Sequence, residues 1–70
     1  MKLSSYHFEN KEDREMAFHN IVKWYGATIV QKIDKLDLNI SGPKDIIIET
    51  HKIIEKHFGK LKSDFFRPSL

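Results

Sequence analysis

At 70 residues and 8.3 kDa, the chain is a single domain of a size at which folding buries only about 60% of the unfolded surface and stability is marginal. The lack of cysteine excludes a disulfide, a thiolate metal site and a thiol nucleophile, so nothing covalent reinforces the core. A net charge of +2, from 12 basic and 10 acidic residues with the signs interspersed, is weak evidence for a polyanionic partner, because nucleic-acid binders carry a concentrated basic face.

Residues 2–8 alternate, with Leu3, Ser5 and His7 on one face and Ser4, Tyr6 and Phe8 on the other. They read as a first strand whose second set faces the core. Asn10 is a good N-cap, and Glu12, Asp13 and Glu15 follow it where carboxylates favour the positive end of the helix dipole. The helix that starts there presents Ala17, Phe18, Ile21, Val22, Trp24 and Tyr25 on one broad face, opposite Asp13, Met16, His19, Asn20 and Lys23. Gly26 ends it, as a residue free to adopt the left-handed conformation.

Residues 28–33 and 36–40 form the next pair of strands, a hairpin turning at Asp34-Lys35, where Asp-Lys tolerates positive φ less well than Asn-Gly and so leaves a longer loop open. Pairing Ile33 with Leu36 sets Gln31 opposite Leu38 and Ile29 opposite Ile40, and puts Val30 on the outer face. Ser41-Gly42-Pro43 is a turn and helix start, with Pro43 suited to the first helical position. The second helix is expected to run to about residue 58 and to bury Ile46, Ile47, Thr50, Ile53, Ile54, Phe58 and Leu61, leaving Ile48 outside the apolar sector. Gly59 is expected to close it as Gly26 closes the first. Residues 60–66 read as a last strand and residues 67–70 as a frayed tail.

The element order is therefore β-α-β-β-α-β. A shift of 33 residues superposes Lys2 on Lys35, Leu3 on Leu36, Lys11 on Lys44, Ile21 on Ile54, Lys23 on Lys56 and Gly26 on Gly59, which is the internal symmetry of a split βαβ. The expected fold is thus a ferredoxin-like α+β sandwich, with two helices on one face of a four-stranded antiparallel sheet and the other face open.

The residues carry no catalytic signature. His7, His19, His51 and His57 lack the i, i+3 or i, i+4 spacing of helical metal ligands, and no serine lies in a nucleophile elbow. No cofactor or metal is expected, and the chain is expected not to be an enzyme. Apolar runs reach only three residues, at 16–18 and 46–48, far short of a membrane span or a signal-peptide core, so a cytoplasmic protein with no membrane partner is expected. The central strand offers Asp37 and Asn39 to the open face, which disfavours base stacking of the kind RNA-reading sheets use.

Association remains. A small domain with an open sheet face and two edge strands can bury surface by pairing, so the leading expectation is a non-enzymatic interaction or regulatory module. It would act as a homodimer that binds another macromolecule, an unidentified protein, through Val30, Ile48 and Phe66. The alternative is nucleic-acid binding along a basic ridge of Lys52, Lys56, Lys60, Lys62 and Arg67 on the second helix and last strand.

Overall fold

The computed structural model describes the backbone of residues 2–66 and the side chains of residues 3–62. In chain order the elements are β1 (Lys2–His7), α1 (Lys11–Tyr25), a single 3-10 turn (Ala27–Ile29), β2 (Val30–Ile33), β3 (Asp37–Gly42), α2 (Lys44–Lys56) and β4 (Lys60–Phe66). The strands form one sheet in the order β2-β3-β1-β4, every neighbouring pair antiparallel. Both helices lie on one face, which is the ferredoxin-like βαβ sandwich. None of the described helices is long and apolar enough to cross a membrane.

Alternation places the core where β1 predicts it. Ser4, Tyr6 and Phe8 are buried, and they meet Leu38 and Ile40 of β3, Ala17 and Ile21 of α1, and Ile47 and Ile54 of α2. Asn10 caps α1 by accepting the Asp13 N–H at 2.9 Å, and Gly26 ends it at φ +90 and ψ 164, a region closed in practice to other residues.

The hairpin differs from expectation by one residue. Its loop spans Asp34, Lys35 and Leu36, with Asp34 in the left-handed region at φ +57, so Ile33 pairs with Asp37, Lys32 with Leu38, Gln31 with Asn39 and Val30 with Ile40. A slip of one position exchanges the two faces of a strand. Val30, expected on the outer face, is a core residue only 6% exposed. Residues 28 and 29, expected to open this strand, form the 3-10 turn with Ala27 instead.

Arg14 anchors this loop. Its side chain is buried, donating from Nη1 to the Asp34 carbonyl at 2.9 Å and from Nη2 to Glu15 Oε1 at 2.9 Å. Lys32 Nζ reaches the other Glu15 oxygen at 2.8 Å, which holds the Glu15 carboxyl below its ordinary range.

The end of α2 also departs from expectation. The helix stops at Lys56, and Phe58 takes the left-handed position at φ +68. The Phe58 N–H donates to the Glu55 carbonyl at 3.0 Å and the Gly59 N–H to the Ile54 carbonyl at 2.9 Å, the paired bonds of a Schellman cap. Gly59 is therefore not needed for its φ. A Cβ there would collide with Ile54 Cγ2 and fall 2.7 Å from Phe8 Cζ, so glycine is what lets the chain pass the core on its way to β4. Phe58 is carried outward and is 70% exposed; Trp24 and Leu61, both expected inside, are 69% and 49% exposed.

Candidate interaction site

A concavity lies where α2 crosses the β1–β4 side of the sheet. Because β1 turns alternate residues inward, it contributes Ser4 and Tyr6; α2 contributes Ile47, Ile48, His51, Lys52 and Glu55, and β4 contributes Leu61. These side chains enclose a cleft of about 300 Å³. Ile47 is buried in its wall, while Ile48 and Leu61 stand partly out of it at 47% and 49% exposure.

A short polar chain crosses the cleft. The Tyr6 hydroxyl lies 2.9 Å from His51 Nδ1, and His51 Nε2 lies 2.9 Å from Glu55 Oε1 one helical turn away. With Glu55 accepting from Nε2–H, Nδ1 of the neutral ring is the acceptor and the phenol is the donor. The order hydroxyl, imidazole, carboxylate is that of a nucleophile and its base. Here the hydroxyl belongs to a fully buried residue, so the chain acts as a strut between β1 and α2. Lys52, on the rim, makes no ion pair among the described residues.

The open sheet face carries a second polar group. His7 Nδ1 lies 2.7 Å from Asp37 Oδ1, Lys62 Nζ donates to Asp37 Oδ2 at 2.8 Å, and the Ser5 hydroxyl donates to Asn39 Oδ1 at 2.7 Å. Lys62, and then His7, hold the Asp37 carboxyl below its ordinary range against the opposing effect of burial, and Asp37 in turn raises the Lys62 ammonium. A shallow depression surrounds this group, lined by His7, Asp34, Lys35, Leu36, Asp37 and Lys62. The two central strands place Leu3, Ser5, His7, Asp37, Asn39 and Ser41 on this face, with no Phe, Tyr or Trp on which a base could stack. Among the described residues no three metal-ligating side chains gather.

The expected site residues are distributed unevenly by this fold. Ile48 lies in the cleft; Val30 is in the core; the Phe66 side chain and all of Arg67 lie outside the described residues. The basic ridge is divided by the sheet. Lys52 stands at the cleft and Lys56 one turn further along α2, whereas Lys62 is held on the opposite face by Asp37, and Lys60, opposite His7, lies 3.8 Å from Glu9. Sequence patterning misses Leu61 because it extends the helix periodicity past the Phe58 turn. It misses the Tyr6–His51 bond because the two residues are 45 positions apart.

Comparison with protein-family models, with curated proteins and with solved structures finds no match.

Proposed function

We propose that the chain is a non-enzymatic interaction module that binds another macromolecule through the flank where α2 meets β4. The observation that carries this is the placement of Ile48 and Leu61, half-exposed aliphatics on either side of a cleft whose lining is mostly apolar. Burying a fully exposed aliphatic side chain is worth about 1.5–3 kcal/mol, and each of these, half exposed, retains roughly half of that. A small domain that leaves two such groups beside a concavity holds that free energy in reserve for a partner.

Binding accounts for the cleft better than catalysis does. The Tyr6–His51 hydroxyl–imidazole pair is spent on a buried internal bond. Homodimerisation, the other expectation of the sequence, is not assigned to this flank. A two-fold interface sets a patch against its own copy, and here that would set lysines against lysines.

Site-specific photo-crosslinking tests the assignment. A benzoylphenylalanine at position 48, in cells that make the protein, is expected to yield a discrete higher-mass adduct. The same group at position 19, on the exposed side of α1, is expected to yield none. Equal yields at both positions, or none at position 48, would remove the flank as the contact surface.

A further inference from the structure

β4 is an outer strand. Among the described residues, the order β2-β3-β1-β4 leaves one side of Lys60–Phe66 without a neighbouring strand, so its outward N–H and C=O groups can pair with an added strand. The side chains along that edge alternate in a useful way. Leu61 opposes Tyr6 and turns into the cleft beside Ile48 and His51, whereas Lys60 opposes His7 and Lys62 reaches Asp37 on the other face of the sheet. The ladder to β1 shifts register between Ser5 and Tyr6, which leaves Lys62 as an extra residue in β4, so a strand laid against this edge follows the alternation over residues 60–62. Its residue opposite Leu61 faces the cleft, and the residues on either side of that one lie on the face that carries Lys60 and Lys62, of which Lys62 is turned inward to Asp37 and Lys60 is the exposed cation.

We propose that the flank receives an extended segment of another protein, added along the outer edge of β4, with one aliphatic side chain in the cleft between two acidic residues. This rests on the flank being the contact surface and adds the identity of its occupant. The cleft of about 300 Å³ is at the small end of ligand sites, room for one aliphatic side chain against Ile47, Ile48 and Leu61. Lys52 at its rim supplies a further cation that has no carboxylate among the described residues.

Two other occupants fit less well. A second copy pairing antiparallel with the two Leu61 residues opposed brings Lys60 of each chain beside Lys62 of the other, a like-charge pair made twice. A nucleic acid needs a continuous cationic track, and the sheet stands between Lys52 and Lys62.

The test is an amide-resolved NMR titration with an acetylated, amidated pentapeptide, Thr-Glu-Ile-Glu-Thr, alongside Thr-Lys-Ile-Lys-Thr and Thr-Glu-Ala-Glu-Thr. Saturable shifts are expected at the amides of Ile48, His51 and residues 60–62, with affinity about tenfold weaker for each control peptide and weaker again for the acidic peptide with Lys60→Gln. No shift at millimolar peptide, shifts confined to other surfaces, or equal affinity for the lysine peptide would overturn the proposal. A position-48 crosslink to nucleic acid or to a second copy would overturn it too. Failure here with a position-48 adduct retained removes only the peptide strand; loss of that adduct removes the flank as well.

Discussion

Phe58 occupies a backbone conformation that costs a non-glycine residue about 1–2 kcal/mol, and it gains little packing in return, since its side chain is 70% exposed. The next residue, Gly59, has no need of positive φ and is fixed by its approach to Ile54 and Phe8. The two adjacent positions therefore want different things from glycine, one conformational freedom and the other space. Replacing Phe58 by Gly relieves the backbone and returns about 0.5–1 kcal/mol of that relief as extra unfolded-state entropy. The expected net gain is about 0.5–1 kcal/mol, read as a rise in Tm of about 2–8 °C for a domain this small. Phe58→Ala, which removes the ring and keeps the strain, is expected to stay within about 0.5 kcal/mol of the wild type. Equal Tm values for the glycine and alanine variants would show that the cap is not strained.

Among the elements, β3, β1 and β4 are tied together on the open face by Asp37, which accepts from Lys62 and pairs with His7. Its carboxyl ionises below the ordinary range when folded, so over the acid range the unfolded chain binds more protons than the folded one. The stabilisation is present in full above the unfolded carboxylate value of about 3.9 and is lost as pH falls through the depressed folded value. Urea unfolding of Asp37→Asn is accordingly expected to show lower stability than the wild type at neutral pH, with the two curves converging as the solution is acidified. A difference that persists unchanged at acid pH would mean that the ion pairs contribute nothing. The same elements show what is legible in the sequence. The alternation of β1 and the apolar spacing of Ile47, Thr50 and Ile54 are local patterns, and both faces lie where those patterns put them. The hairpin register depends on how many residues the turn holds, and the left-handed Asp34 that lengthens it is fastened by Arg14 from 20 positions away. No window on the hairpin contains that bond, so Val30 is placed on the wrong face. The cleft is illegible for a related reason: each wall comes from a different element, and only the third dimension joins Tyr6, Ile48 and Leu61.

For the molecule as a whole, the question is what opposes the pairing of two copies along the open edge of β4. A net charge of +2 supplies little general repulsion, so the answer is local. In the antiparallel register that opposes the two Leu61 side chains, Lys60 of one chain stands beside Lys62 of the other, and two-fold symmetry makes that repulsion twice. Lysine on an edge strand is a common defence against such pairing. Lys60→Glu inverts it, turning both like-charge contacts into opposite-charge ones without touching the core, because Lys60 is exposed and lies 3.8 Å from Glu9 at the surface. Each cross-strand charge pair is worth about 0.2–1 kcal/mol, so reversing two of them from repulsive to attractive should tighten self-association by about 1–3 kcal/mol, or about 5- to 150-fold. Sedimentation velocity at matched concentrations is expected to show a larger dimer fraction for the variant than for the wild type, with the excess shrinking as salt is raised. A wild type that already dimerises as strongly as the variant would locate its interface elsewhere and leave the β4 edge free in the dimer.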